Sequence, residues 1–212
     1  MRKHMPDILR AVMCALLAAL TALSACAPGN RPLTEAQIAE ALKRNEYTSE
    51  EQHELVEAAV SLVGKVGYFW GGKSFAKGPD PDWGTPREVT STGHSTTGTV
   101  IPYGLDCSGF VQWCFAQLGR GREWTSENVG EGTWHQWINS EPIERAELRP
   151  GDLVFANEYP GAKSNHVGIV IGFAEDGEPL VAHCSPSFDG VVVTRLGDSF
   201  SYFRRFAFMT RL

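Results

Sequence analysis

DCSGFVQWCFAQL, residues 106–118, is the stretch on which the fold turns. Apolar side chains recur at Phe110, Val111, Cys114, Phe115 and Leu118, the stripe of a helix packed on a core. Cys107 falls on that stripe, one turn ahead. Asp106 is a good N-cap and Gly119 a plausible stop, so a helix is predicted from Cys107 to about Leu118. A thiol in the first turn feels the positive end of the helix dipole, which lowers its pKa and favours the nucleophilic thiolate. Taken alone, such a cysteine reads as a half-buried structural residue. The rest of the chain changes that reading.

After Arg149 the pattern turns β-like. Strands are predicted at 152–156, 166–172, 179–184, 190–195 and 202–209, with turns at Pro150-Gly151, Asp176-Gly177 and Asp189-Gly190. Short consecutive strands joined by tight turns predict an antiparallel meander of about five strands. Helices first and strands after make the fold class α+β, with the cysteine helix lying on one face of the sheet.

Upstream, Thr34-x-x-Gln37 reads as a capping box opening a helix to about Arg44, a lead-in over residues 34–47. Thr48-x-x-Glu51 opens a second helix to about Lys65, with Leu55, Ala58, Ala59 and Leu62 on one face. Tyr68-Phe69-Trp70-Gly71-Gly72 follows. Its glycine pair ends the helix and lets backbone pass close by, and Trp70 is expected in the core. Residues 73–105 are rich in Gly, Ser, Thr and Pro without periodicity. At 33 residues the stretch is long for a plain connection. A loop-rich region carrying Trp124, Trp134 and Trp137 runs on to Glu147.

A thiolate nucleophile needs a base, and the base needs an orienting group. His166 begins the run HVGIVI and His183 lies in the next strand, LVAHCS. A four-residue loop at Ala174–Gly177 sets His183 opposite Gly168 and diagonal to His166, both rings on one face. Gly168 carries no side chain to obstruct them. Each histidine alone reads as an ordinary half-buried residue. Together with Cys107 they form a nucleophile, a base and an orienting ring.

Tyr68-Phe69-Trp70-Gly71-Gly72, Asp106-Cys107-Ser108-Gly109-Phe110, Arg149-Pro150-Gly151-Asp152-Leu153-Val154-Phe155, His166-Val167-Gly168-Ile169 and His183 together closely resemble the NlpC-type cell-wall peptidases, papain-like cysteine enzymes of bacteria. The resemblance covers about residues 50–208, within a domain placed at 48–212. It implies an endopeptidase of the peptidoglycan stem peptide, cutting between γ-linked D-glutamate and a diamino acid. It also implies Cys107 as nucleophile, His166 as base and His183 as third polar residue. Tyr68 matches a tyrosine facing the thiol, whose hydroxyl can donate to the oxyanion beside the Cys107 N–H. Asp106 and Ser108 match positions that in some members hold the amino end or backbone of the stem peptide. For Asp106 the plain alternative is a helix cap only. For Tyr68 it is core packing. Many members pass from the glycine pair to the nucleophile in a few residues, so the 73–105 insertion is expected to wall the substrate groove and narrow specificity.

The first 25 residues stand apart. Arg2, Lys3 and Arg10 precede an apolar run over 11–23, too short to span a bilayer as a stable helix. This reads as an export signal. Leu23-Ser24-Ala25-Cys26 resembles a lipobox, in which Cys26 is lipidated and begins a linker over 26–33. The competing reading is cleavage after Ala25-Cys26-Ala27, which sets Pro28 directly behind the cut. Without residues 1–25 the chain holds 16 basic and 24 acidic residues, a formal charge of −8. An acidic surface argues against nucleic acid and leaves a lipid anchor as the membrane link.

Of five cysteines, Cys14 leaves with the signal and Cys26 is the acylation candidate. Cys107 and Cys114 sit about 10 Å apart along one helix, beyond disulfide reach. A Cys114–Cys184 bridge is an alternative to two buried free thiols. No His-Glu-x-x-His or Cys-x-x-Cys occurs, so neither metal nor cofactor is expected. A monomer is expected. Competing functions are an amidase or acyltransferase using the same three residues, and a non-catalytic wall-binding protein.

Overall fold

The computed structural model describes residues 31–162 and 165–211. The export signal and Cys26 lie outside the described residues.

Asp106 accepts the Gly109 N–H at 2.6 Å and so opens the cysteine helix, Cys107–Ala116, all ten residues of which are buried. It follows α1, Glu35–Leu42, and α2, Glu50–Ser61, and is therefore α3. α1 begins on the expected capping box at Thr34. α2 begins one residue later than expected. Ser49 accepts the Gln52 N–H, while the Thr48 N–H donates to the Gln52 side chain at 2.7 Å. That side chain is buried and spans to the Pro150 carbonyl at 2.6 Å, tying α2 to the turn before the sheet.

The sheet has six strands, not about five: β3, Ser140–Pro142; β4, Leu153–Phe155; β5, Val167–Phe173; β6, Pro179–Ser185; β7, Gly190–Arg195; β8, Tyr202–Phe206. Their spatial order is β3-β8-β4-β5-β6-β7, and every pairing is antiparallel. The meander therefore holds from β4 to β7. β8 then returns to the far side of β4 and is flanked by β3, an edge strand reading Ser-Glu-Pro with no alternating apolar pattern to reveal it.

α3 lies on β5 and β6. Phe110, Val111 and Phe115 share one core with Val167, Ile169, Ala182 and Cys184. A smaller cluster of Leu148, Val154, Val170, Val181, Leu196 and Phe200 covers the opposite face. The alternation along β5 and β6 sorts their side chains between these two layers.

The stretch 73–105 is not featureless. β1, Pro86–Glu88, pairs antiparallel with β2, Val100–Pro102. The region before Glu147 holds two short helices, α4, Arg122–Asn128, and α5, Thr133–Ile138, each preceded by a positive-φ glycine and no side-chain cap. Cys107, Cys114 and Cys184 are all free and buried.

Candidate active site

Four glycines bring the first two motifs together. A Cβ on Gly109 would lie 2.0 Å from the Gly72 carbonyl oxygen, and one on Gly104 would lie 2.0 Å from that of Gly67. Backbone therefore touches backbone. The Phe69 N–H donates to the Leu105 carbonyl and the Leu105 N–H to the Gly67 carbonyl. Tyr68 is thereby bridged to Leu105, two residues from the thiol.

The Asp106 carboxylate is saturated from inside the protein. Besides the Gly109 N–H it takes the Ser108 hydroxyl at 2.7 Å, the Gly71 N–H at 3.1 Å, and the Lys73 ammonium at 2.8 and 2.9 Å. Lys73 also donates to Ser108 Oγ at 2.8 Å. Asp106 is the cap expected for it, and the ammonium that faces it and Ser108 belongs to Lys73. The sequence reading did not single Lys73 out. Its position directly after the glycine pair was the available signal.

Cys107 is 5% exposed, and its Sγ donates to the Asn165 carbonyl at 3.9 Å. Asn165 is held by its own side chain, whose Oδ1 accepts the Asn157 and His166 N–H groups and whose Nδ2 donates to the Asn157 carbonyl. Burial, and then the Asp106 charge, push the thiol up to about 12, against the weaker opposing pull of the Val167 N–H, Lys73 and the Ser108 N–H. The free site therefore holds a thiol. The thiolate expected from the helix dipole is overruled because removing a charge from water costs more than half a charge at a helix end returns.

The two histidines meet. Ile169 pairs with Ala182, which carries His183 to the place across from Gly168. His166 Nε2 lies 2.8 Å from His183 Nδ1, and His183 Nε2 lies 3.1 Å from Thr194 Oγ1. A Cβ on Gly168 would sit 2.4 Å from Val181 Cγ1 and 3.2 Å from His183 Cβ, so the glycine is what lets the rings close. Phe200 stacks on His166 at 5.5 Å and meets His183 edge-on at 5.4 Å. Burial pushes His166 down to about 4 and His183 down to about 3, so at neutral pH both rings are uncharged.

A neutral pair needs one ring to donate and the other to accept. With His166 Nε2–H donating to His183 Nδ1, the His183 proton sits on Nε2 and donates to Thr194, leaving His166 Nδ1 as the lone pair. Thr194 was not singled out in the sequence. Its only signal was a hydroxyl on the strand next to His183.

Cys107, His166, His183 and Tyr68 line one cavity of about 390 Å³, together with Trp70, Gly93, His94, Asn157, Asn165 and Phe200. Burial and the proximity of Cys107 and Asp106 hold the Tyr68 hydroxyl well above its ordinary pKa, so it stays a donor. Asp106 and Ser108 are not among the lining residues. Trp70 is half-buried at the edge of the core rather than within it. Its indole stacks on His94 at 5.2 Å and walls the cleft. A larger cavity of about 920 Å³ lies between α1 and the β5–β6 turn. It is lined by Arg44, Glu40, Asp176 and Arg195 among others, with no cysteine, serine or histidine among the described lining residues. The smaller cleft thus brings the Cys107 sulfur, which donates to the Asn165 carbonyl, and the bonded His166–His183 pair to one lining.

Residues 65–204 match the sequence model of the NlpC/P60 family. Over 77 residues the chain is 39% identical to the "Probable endopeptidase p60" of Listeria grayi, covering 36% of this chain and 13% of that protein. Over 97 residues it is 33% identical to the murein DD-endopeptidase MepS/murein LD-carboxypeptidase of Escherichia coli K12, covering 46% of this chain and 44% of that protein. The match thus spans less than half the length of either relative. Among solved structures, the peptidoglycan hydrolase RipB from Mycobacterium tuberculosis aligns with a TM-score of 0.49 at 22% identity, over 90% of this chain and 77% of that one.

Proposed function

Because the chain belongs to the NlpC/P60 family, we propose that it is a cysteine endopeptidase of the peptidoglycan stem peptide. The proposed cut lies between γ-linked D-glutamate and the diamino acid. The observation that carries the reading is the 2.8 Å bond between His166 and His183 in the cavity that Cys107 lines. Relatives named as endopeptidases support it.

In this mechanism His166 Nδ1 takes the thiol proton and Sγ attacks the amide carbonyl. The Cys107 N–H, unpartnered within the first helical turn, and the Tyr68 hydroxyl hold the oxyanion. The imidazolium protonates the departing amine, giving a thioester. His166 then activates water to release the acid and restore the thiol. His183, itself held by Thr194, keeps His166 in the productive tautomer. Asp106 and Lys73 brace the helix start, and the Asp106 and Ser108 pair would bind a peptide amine only by displacing Lys73.

Residues 1–25 fit an export signal and Cys26 a lipid attachment site. In this reading the enzyme works in the cell envelope, held on a membrane through that lipid alone. Mass spectrometry of the mature N-terminus in the membrane fraction tests this. An unlipidated Ala27 or Pro28 terminus overturns the anchor.

The catalytic reading is tested by digesting purified muropeptides with wild type and Cys107→Ala. Wild type is expected to release fragments whose masses correspond to cleavage after γ-linked glutamate, and the variant none. Full cleavage by the variant, or masses from another bond, would overturn it.

A further inference from the structure

The insertion 73–105 delivers one imidazole to the cleft. His94 lines the same cavity as Cys107, and its ring centre lies 5.9 Å from that of Tyr68. Its tautomer is fixed by the loop. The Thr96 N–H donates to His94 Nδ1 at 3.3 Å, with Thr96 Oγ1 2.8 Å from the same atom. An atom that accepts an N–H carries no proton, so in the neutral ring the proton is on Nε2, a donor.

The ring is also held in place. Trp70 stacks on it at 5.2 Å and 19°, and the Trp70 indole N–H donates back into the loop at the Thr92 carbonyl, 2.9 Å away. A donor fixed before the ligand arrives loses little freedom on binding.

The rest of the lining tells what this donor faces. Among the described residues lining the cleft there is no Lys, Arg, Asp or Glu, and His166 and His183 are bonded to each other. The nearby Asp106 carboxylate is not part of the lining and is paired with Lys73. Among the described lining residues, His94 Nε2–H is thus a fixed donor that can meet an anion. A γ-linked glutamyl residue presents one: its α-carboxylate stays free, about 5 Å along the chain from the scissile carbonyl.

We propose that His94 is a specificity-determining residue, its Nε2–H binding the free α-carboxylate of the γ-linked glutamyl residue. This rests on the peptidase reading above. It also gives the insertion a task that a bare wall would not have.

The test compares two synthetic substrates, L-Ala-γ-D-Glu-diamino acid with its glutamyl α-carboxylate free, and the same peptide with that group as the carboxamide. Wild type is expected to prefer the carboxylate by about tenfold or more in kcat/KM, since hydrogen bonds to ionised groups are the stronger ones. In His94→Ala the preference collapses toward one, through KM rather than kcat, with the carboxamide substrate little affected. His94→Gln, which keeps an N–H donor, restores part of it. Equal losses on both substrates would mark His94 as loop support only and overturn the inference. So would an unchanged ratio, or a wild type indifferent to the carboxylate. A wild type that cleaves neither peptide would instead overturn the peptidase reading, and this inference with it.

Discussion

His166 and His183 face each other across 2.8 Å because two irregularities in the intervening hairpin cancel. The turn is three residues, Glu175-Asp176-Gly177, closed by the Ala174 N–H on the Glu178 carbonyl, with Gly177 at φ 81°. An odd turn alone would slip β6 by one residue and send His183 to the other face. The register shift between Val170 and Gly172 leaves Ile171 as an extra residue on β5 and restores the parity. Deleting Ile171 is expected to abolish muropeptide cleavage, because it turns one imidazole away from the other.

Gly168→Ala tests the same meeting point more gently. The added methyl would lie 2.4 Å from Val181 Cγ1 and 3.1 Å from the Ala182 carbonyl oxygen. Overpacking of this kind costs about 1–3 kcal/mol, read as a lower denaturant midpoint at unchanged m. Cleavage is expected to fall as the rings are pushed apart. An alanine variant with wild-type activity would contradict the geometry.

Thr194→Val keeps shape and removes the partner of His183 Nε2. A buried N–H left unsatisfied costs about 1–3 kcal/mol. If Thr194 fixes the tautomer, kcat drops about tenfold while KM holds, and Thr194→Ser recovers most of the loss. Steady-state kinetics on one stem peptide decide it.

The protonation of the site sets two pH responses. Burial holds both histidines below their ordinary 6.5, His166 at about 4 and His183 at about 3. The unfolded chain therefore binds more protons than the folded one across this window. Stability is full above about pH 6.5 and lost as pH falls toward 4. Tm should drop across that range, and less in His183→Gln. At Cys107 the shift runs the other way, up to about 12, so iodoacetamide should alkylate the free enzyme slowly at pH 7. Rapid alkylation there would show a standing thiolate.

Lys73→Met leaves the 6% exposed Asp106 without its ammonium while sparing the backbone N–H bonds to its carboxylate. Lys73 is itself a quarter exposed, so the expected loss is about 1–3 kcal/mol, less than for a fully buried pair. Removing a nearby positive charge should also raise the Cys107 pKa further and slow alkylation again. Thermal melts and alkylation rates report the two effects separately.

The parts legible in the sequence were those with strong periodicity. The stripe from Phe110 to Phe115 announced α3, and alternation with tight turns announced β5 to β7 within a residue or two. Even the facing of His166 and His183 was readable, although by a four-residue loop that the protein replaces with a shorter turn and a bulge. What stayed hidden lacked a pattern of its own. β1 and β2 are three residues each, β3 is an edge strand with a proline, and α4 and α5 start on glycine rather than a capping side chain. Thr194 and Lys73 were missed because each acts through a neighbour distant in the chain, and His94 because it lies in an insertion with no periodicity to place it. The charge state of Cys107 was misjudged because the helix dipole is local and visible, whereas burial is a property of the whole fold.

The backbone weld at Gly67, Gly72, Gly104 and Gly109 fixes both feet of the 73–105 excursion at the base of α3. Provided Lys73 keeps its bonds to Asp106 and Ser108, exchange of residues farther out between those feet is expected to leave the Cys107 backbone in place. Nature, or an engineer, is therefore free to exchange the excursion as a cassette, retuning which peptides are admitted while the cutting machinery is inherited unchanged.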